Sequence, residues 1–287
     1  MHRNVEADLL VAQSEDASAR ACDLAHVRIA DEHDMSRLWG VTHLLTSVWG
    51  TSSQGPPIPV DVLRGISHAG CAVAAAYDAD DEICGAAVAI VAPGSSSAYS
   101  LIAGVRPGQK DAGVGFALKQ HQRAWALARG LERIVWTFDP LVSRNARFNL
   151  TKLGASATEY SEDFYGVMDD AINTDDESDR LVAVWPLSSE RAIACSESAP
   201  LDLIAPDYRS AGVLRFGPDL APMFVEAEGA LWCRVPMDIV ALRNQDPEAA
   251  KAWRRATREV LRETLSEGYA ARGVTRTGWY RLDKEEL

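Results

Sequence analysis

The chain lacks a long apolar run and a secretion signal. No stretch of about 18 consecutive apolar residues occurs, and a membrane-spanning helix needs such a stretch. The N-terminus, Met-His-Arg-Asn-Val-Glu-Ala-Asp, has no apolar core of the kind found in signal peptides. We therefore expect a cytoplasmic protein with no membrane partner.

Cysteine and histidine patterns typical of bridged or metal-binding proteins are also missing. The five cysteines are scattered and odd in number, and no Cys-x-x-Cys or His-x-x-x-His pair occurs. This usage predicts reduced thiols, in agreement with a cytoplasmic protein, and no metal site.

Basic residues are few relative to acidic ones, with 29 Lys and Arg against 41 Asp and Glu and a formal net charge of −12. Phosphate backbones are bound by basic surfaces, so this balance argues against nucleic acid as a partner. An anionic cofactor would need a local basic patch. The candidates for that patch are Arg106, Lys110, Lys119 and Arg123.

The 287 residues suffice for one large domain and a smaller one. Residues 1–23 are mixed and rich in Ala, Asp and Ser, and predict a poorly ordered tail. Residues 24–187 predict a mixed-sheet α/β domain. Residues 188–287 predict a smaller β-α-β-β extension that packs on this domain, after an irregular stretch over 188–230.

The periodicity of apolar residues places the elements of the larger domain. Strands are expected over 24–30, 72–77, 83–91, 99–105, 133–138, 158–167 and 181–187, and helices over 32–49, 59–66, 114–130 and 145–153. The strands at 99–105 and 133–138 are separated by a helix, so we expect them to be parallel neighbours.

A glycine-containing turn, Val105-Arg-Pro-Gly-Gln-Lys-Asp-Ala-Gly-Val-Gly115, joins the strand at 99–105 to the following helix. Glycine lets a backbone approach an anion closely, and the free N–H groups at a helix start point at it. Neither the dinucleotide fingerprint nor the P-loop pattern is present. The turn therefore indicates either another kind of phosphate site or an ordinary helix-capping turn.

The run Lys110-Asp-Ala-Gly113-Val-Gly115 resembles the pyrophosphate loop of the GNAT (Gcn5-related) N-acyltransferases, Arg/Gln-x-x-Gly-x-Gly/Ala, with Lys in first place. The element order of 24–187 is also similar to theirs. Ser143-Arg-Asn-Ala146 and Leu153-Gly154-Ala155 stand where that family has Asn-x-x-Ala and Leu-Gly-Phe. The chain resembles a long branch of the family with a C-terminal extension.

The resemblance implies that acetyl-CoA or another acyl-CoA is the co-substrate, with no metal. It implies a short acyl group, such as acetyl or succinyl, moved by direct attack to a small amine such as an amino acid, without a covalent enzyme intermediate. The implied cofactor-binding residues are Ala103, Val105, Lys110, Ala112, Gly113, Val114, Gly115, Asn145 and Phe148.

The proton-transfer residues cannot be carried over from the family, because Leu150 stands where a Tyr general acid is common. Asp139, at the end of a strand, is our candidate for taking a proton from the ammonium group of the acceptor or for forming an ion pair with it. The alternative is that Asp139 only caps a turn. Tyr160 and Tyr165 are candidates for thiolate protonation, and the alternative is packing.

Two arginines are candidates for binding a carboxylate of the acyl group or of the acceptor. Arg144 and Arg147 flank the short helix, and guanidinium groups bind carboxylates bidentately. The alternative for both is contact with CoA phosphates or plain solvation.

Two alternative functions keep the same fold. One is an acyl-thioester decarboxylase or hydrolase, which the absence of the usual Tyr favours. The other is a non-catalytic acyl-CoA-binding protein. The extension is expected either to cover the acceptor site or to build a homodimer, and the sequence does not decide between the two.

Overall fold

The computed structural model describes residues 2–51, 55–109, 112–166, 177–197, 199–200 and 202–284. In chain order the elements are α1 (His2–Ala25), β1 (Arg28–Asp31), α2 (Met35–Trp49), α3 (Val60–His68), β2 (Ala72–Tyr77), β3 (Ile83–Val91), β4 (Ser97–Val105), α4 (Val114–Leu127), β5 (Arg133–Phe138), α5 (Ser143–Arg147), a π-helical turn (Phe148–Lys152), β6 (Ser156–Ser161), β7 (Arg180–Pro186), α6 (Glu190–Ser196), β8 (Gly212–Phe216), β9 (Pro222–Ala227), β10 (Ala230–Arg234), α7 (Ile239–Gln245), α8 (Pro247–Ser266), β11 (Tyr269–Val274) and β12 (Trp279–Lys284).

The chain divides into two compact units. Among the described residues, unit 1 comprises the chain up to Val135 together with Pro186–Glu197, and unit 2 comprises the rest. The division falls inside β5, between Val135 and Trp136. The boundary after residue 187 that the sequence suggested stays a prediction about domains, and the compact units do not follow it.

In unit 1, β1, β2, β3 and β4 pair antiparallel in that order, and β4 pairs parallel with β5. The parallel pair confirms the expected crossover. Every residue of β2 is buried, because apolar side chains cover both faces of the strand. Leu38, Leu45 and Leu63 from α2 and α3 cover one face, and Val114 and Leu118 of α4 cover the other.

The expectation of a poorly ordered tail over 1–23 is corrected, because the described residues of this segment form α1. Helix α1 packs along α4, where Ala21 and Ala25 are buried against Ala117. Small side chains allow this close approach without the wide apolar stripe that makes a helix recognisable in sequence. The consequence for the site is that α1 covers part of α4.

In unit 2 the strand order is β7-β6-β11-β12-β10-β9-β8, with antiparallel neighbours. Helix α8 packs on β6 and β11. It begins as the sequence predicts, since the Asp246 carboxylate accepts a hydrogen bond of 3.0 Å from the Ala249 N–H and Pro247 occupies the first turn.

The mixed α/β class and the element order expected for 24–187 are confirmed. The C-terminal part is richer than expected, because α6, β8 and β9 lie in the stretch taken to be irregular and α7 precedes α8. Strand β8 is exposed along its whole length, so its sequence shows no alternation. None of the helices among the described residues is long and apolar enough to cross a membrane.

Candidate functional site

Strand β4 of unit 1 contains a β-bulge at Leu101. Ile102 pairs with Val88 and Ser100 pairs with Ala89, so Leu101 is the extra residue. An extra residue changes which face the following side chains occupy. Accordingly, Ser100 lies on the α4 side, whereas Ile102 packs with the α2 cluster.

Strand β4 runs beside β5 only at its start. The parallel register joins Ser97 to Arg133, Ala98 to Ile134 and Tyr99 to Val135, while β4 continues along β3 to Val105. In an antiparallel pair, alternate residues direct their N–H and C=O groups away from the partner strand. The later part of β4 therefore offers backbone donors and acceptors along its second edge.

The glycine turn that follows β4 leads to an uncapped helix start. Gly113 is the N-cap residue of α4, with φ +85° and no side chain to bond the helix N–H groups. The first helical acceptor is the Gly113 carbonyl, bound by the Ala117 N–H at 3.0 Å. The preceding N–H groups, including those of Val114 and Gly115, have no partner within the helix, and the adjoining Ala112 and Gly113 are exposed. Free N–H groups at a helix start are the arrangement that binds phosphates.

The residues predicted to hold the cofactor are distributed around this turn. Ala112 is exposed, and its N–H donates to the Gln109 carbonyl at 3.1 Å. Ala103 and Val105 on β4 pack beside Val114, so their side chains are occupied and their backbone groups are what remains for a ligand. Lys110 lies outside the described residues.

The expected basic patch is not built as the sequence suggested. The Arg106 guanidinium donates to the Asp78 carboxylate at 3.1 Å and to the Ile83 carbonyl at 2.6 Å. Lys119 and Arg123 are buried rather than solvated. Within the described part of unit 1, the helix N-terminus is thus the main positive feature of the turn.

In unit 2 the short helix α5 carries the other predicted binding residues. Asn145 and Arg144 are exposed and Phe148 is half-buried. Arg147 is already paired, because its guanidinium donates to the Asp202 carboxylate at 2.5 Å, and Arg276 binds the other Asp202 oxygen. The Arg147 guanidinium is therefore held by the Asp202 carboxylate, and the binding of a substrate carboxylate by Arg144 or Arg147 stays a prediction.

Asp139 lies in a buried ion cluster of unit 2. Arg254 binds both carboxylate oxygens at 2.8 and 3.0 Å, Arg243 binds one at 2.7 Å, and the Leu141 N–H donates to the other at 2.9 Å. Burial alone would raise the pKa of Asp139, but Arg254 and Arg243 outweigh it and hold that pKa well below its usual range. Such a carboxylate is a poor proton acceptor, so the geometry speaks against Asp139 as the base.

The two tyrosine candidates differ in environment. The Tyr160 hydroxyl donates to Asp179 at 2.5 Å, and burial together with that carboxylate raises the pKa of Tyr160 well above its usual value. Its proton is therefore committed to a structural bond. The Tyr165 ring is about half exposed, and its hydroxyl lies 3.2 Å from the Thr137 hydroxyl, so Tyr165 stays the more accessible candidate.

Leu150, which stands at the position of the family's usual Tyr, is fully buried within the π-helical turn. The neighbouring Thr151 hydroxyl donates to the Val274 carbonyl at 2.9 Å and accepts from its N–H at 2.8 Å. This turn is therefore fixed on β11, and it carries no proton donor at residue 150.

A polar cluster that the sequence did not reveal lies beside the bulge in unit 1. The Lys119 ammonium donates to the Ser100 hydroxyl at 2.8 Å, and that hydroxyl donates to the Gln122 amide oxygen at 3.1 Å. All three side chains are buried. The helical spacing of Lys119 and Gln122 along α4 does not reveal this contact, because their partner Ser100 lies on β4.

Groups of three or more His, Cys, Asp or Glu side chains that could hold a metal are not found in the described part of the chain.

Comparisons with known proteins give distant structural matches. No protein-family model matches the chain, and no curated protein matches it. Many solved structures resemble it. The ribosomal-protein-S18-alanine N-acetyltransferase of Escherichia coli is 15% identical with a TM-score of 0.45, and the alignment covers 57% of this chain and 95% of that one.

Two further matches are of the same kind. A GNAT-superfamily phosphinothricin acetyltransferase from Sinorhizobium meliloti, solved with acetyl-CoA, is 14% identical with a TM-score of 0.45 and covers 56% of this chain and 88% of its own. An N-acetyltransferase from Staphylococcus aureus is 11% identical with a TM-score of 0.45 and covers 56% and 98%. The solved structures that resemble this chain thus include GNAT-superfamily acetyltransferases.

Proposed function

We propose that the protein is a CoA-dependent N-acyltransferase of the GNAT type. It moves an acetyl or another short acyl group, with succinyl included, from acyl-CoA to a small amine such as an amino acid. The amine attacks the thioester directly, because bringing the two together in one site already removes much of the barrier. The proposal places the protein in the cytoplasm.

One observation carries the proposal. The bulged strand β4 leaves β5 after Tyr99 and leads through a glycine turn into the N-terminus of α4. The open edge of β4 suits the amides of pantetheine, which need backbone partners. The helix start beyond Gly113 suits a pyrophosphate, which needs N–H donors and a positive dipole.

Thioester aminolysis makes three demands on the site. The amine must be neutral, the carbonyl oxygen must be polarised, and the leaving thiolate must gain a proton. We assign the polarisation to backbone N–H groups of β4 in the range Ile102–Gly104, just after the bulge. Guanidinium groups bind carboxylates, so Arg144 and Arg147 stay the candidates for recognising an amino-acid acceptor.

The proposal is tested by titration calorimetry of the wild-type protein with acetyl-CoA and succinyl-CoA. Binding of either thioester, with a matching rise in Tm, is the expected result.

Gly113→Asp and Gly113→Asn form a matched pair that tests the glycine turn. Both side chains tolerate a left-handed backbone, and a Cβ at this residue meets only Ala25, at an ordinary contact distance of 3.5 Å. The Asp variant should bind about ten-fold more weakly than the Asn variant, since only its side chain repels the pyrophosphate.

Equal affinity of the two variants would show that the turn does not hold the pyrophosphate, and failure of the wild type to bind either thioester would refute the function. Release of free CoA without an amine would identify a thioester hydrolase or decarboxylase. Tight binding without turnover over a panel of amines would identify a non-catalytic acyl-CoA-binding protein.

A further inference from the structure

The cluster of Ser100, Lys119 and Gln122 occupies a particular place on β4. Ser100 directly follows Tyr99, the last residue that pairs with β5, and directly precedes the bulge at Leu101. Its hydroxyl therefore lies beside the point where the second edge of β4 becomes open.

The hydrogen bonds of the cluster run in one direction. Lys119 donates to Ser100, and Ser100 donates to the Gln122 oxygen, while the Gln122 amide nitrogen is buried without a partner among the described residues. A hydroxyl that accepts a hydrogen bond from one group can donate its own proton to a second group. In the absence of a stronger acceptor, the Gln122 amide oxygen accepts the hydrogen bond of the Ser100 hydroxyl.

The ammonium group of Lys119 is buried against β4 and α4, and burial lowers the pKa of Lys119 to about 7. The ionisable residues near Lys119 on α4 contact other groups. His121 lies beside the Asp31 carboxylate of β1. Arg123 donates to Gln13 of α1 and to the Leu187 carbonyl, and Glu197 at the end of α6 raises the pKa of Arg123. From β3, the Cys84 thiol faces the Ala76 carbonyl.

We propose that Ser100 protonates the thiolate of CoA as it leaves, and that Lys119 resupplies the Ser100 proton. The inference rests on the proposed acyl-transfer function. Ser100 is the group that contacts the sulfur, and Lys119 acts through it as a positioning and proton-supplying residue.

The step balances as follows for one turnover. The amine nitrogen forms a bond to the carbonyl carbon, the carbon–sulfur bond breaks, and its electron pair remains on sulfur. The sulfur takes the proton of the Ser100 hydroxyl, and Ser100 takes one from the Lys119 ammonium. The acylated nitrogen loses one proton to water, and Lys119 regains one from water after the products leave.

The test compares Lys119→Met with Gln120→Met. Gln120 is equally buried on α4, and both of its amide atoms lack a partner among the described residues, so its loss removes a buried polar group outside the proposed relay. With acetyl-CoA and an amine that the wild type accepts, Lys119→Met should lower kcat about 100-fold, which is the usual contribution of a general acid. The dissociation constant of acetyl-CoA, measured by calorimetry, should change less than two-fold in both variants.

Two readouts separate proton supply from a structural role. The wild-type kcat should fall as pH rises through about 7, where Lys119 loses its proton, and this limb should be absent in Lys119→Met. A thioester with a more acidic leaving thiol, such as an acetyl aryl thioester, needs no proton donor and should restore most of the variant's rate relative to wild type. Ser100→Ala, a smaller change, should show the same rescue.

An unchanged kcat and an unchanged pH limb in Lys119→Met would overturn the relay and leave the acyl-transfer function standing. The relay would also be overturned if Tyr165→Phe lost turnover while Ser100→Ala kept it. A wild type that binds neither acetyl-CoA nor succinyl-CoA would overturn both the function and the relay.

Discussion

The two units bury charged side chains in opposite ways. In unit 2, buried carboxylates meet arginines: Asp139 with Arg243 and Arg254, and Asp179 with Arg258. In unit 1, buried Lys119 donates to a hydroxyl, and buried Arg123 donates to a carbonyl and an amide oxygen. In unit 2 the buried carboxylates are bonded by arginines, whereas Lys119 and Arg123 of unit 1 donate to uncharged oxygens.

This difference indicates a structural role for the Asp139 cluster of unit 2 and a functional role for Lys119 of unit 1. A carboxylate enclosed by arginines keeps its charge over the whole neutral range, so the Asp139 cluster stabilises a fold and transfers no proton. Burial moves the pKa of a cation toward neutrality, and Lys119 is an example. Groups perturbed in this way are candidates for function.

The largest expected effect comes from breaking the ion cluster of unit 2. Asp139→Asn removes the carboxylate that Arg243 and Arg254 share. Both guanidinium groups are buried, and breaking a buried ion pair by removing one partner costs about 3–5 kcal/mol. Urea unfolding at pH 7, compared with wild type, measures the loss.

Glu248→Gln is the matched control in the same unit, since Glu248 pairs with Lys251 on the exposed face of α8 and such pairs contribute little.

The stability that Asp139 contributes depends on pH with a definite sign. The pKa of Asp139 is lowered in the folded protein, so its stabilisation is present above the ordinary Asp value of about 4 and is lost as pH falls below it. Equal stability of wild type and Asp139→Asn at pH 7 would contradict the comparison.

In unit 1, removal of the buried charge should instead stabilise the protein under acidic conditions. The Lys119 pKa is about 7 in the folded protein against 10.5 for the free group. Between these values the unfolded chain binds a proton that the folded chain does not, so wild-type stability should rise with pH by up to about 1.4 kcal/mol per unit. Lys119→Met removes this slope.

The variant's advantage over wild type should therefore be greatest at pH 6 and should shrink toward pH 10. Denaturant unfolding at several pH values measures it, and Gln120→Met, which carries no charge change, should run parallel to wild type. Parallel curves for wild type and Lys119→Met would mean that Lys119 is not held in an environment that disfavours its charge.

The sequence predicts most of unit 1, because β2, β3 and β5 are continuous apolar runs bounded by turn residues. It fails for α1, whose alanines pack closely on α4 without an amphipathic stripe. It also fails for β8, which is exposed on both faces. Helix α1 depends on a neighbour that is distant in the chain, whereas β8 pairs with the next strand, β9, and has no buried face to give its sequence a pattern.

The site shows the same pattern. Gly113 and the start of α4 could be read from local sequence, since a left-handed glycine before a helix is a local feature. The burial of Lys119 could not, because its side chain lies against Ser100 of β4, 19 residues earlier, and the spacing of residues along α4 does not reveal that contact. The partners of Asp139 are equally remote, with Arg243 and Arg254 more than a hundred residues later.

The smallest expected effect distinguishes the two tyrosines of unit 2. Tyr160→Phe removes one hydrogen bond to Asp179, which keeps its bonds to Arg258. The loss should be about 1.5 kcal/mol, as for a bond to a charged group. Tyr165→Phe removes only an exposed contact with Thr137, so thermal unfolding should leave its Tm within error of wild type. If Tyr165→Phe proved as destabilising as Tyr160→Phe, the assignment of Tyr160 to the buried charge network and of Tyr165 to an accessible surface would have to be exchanged.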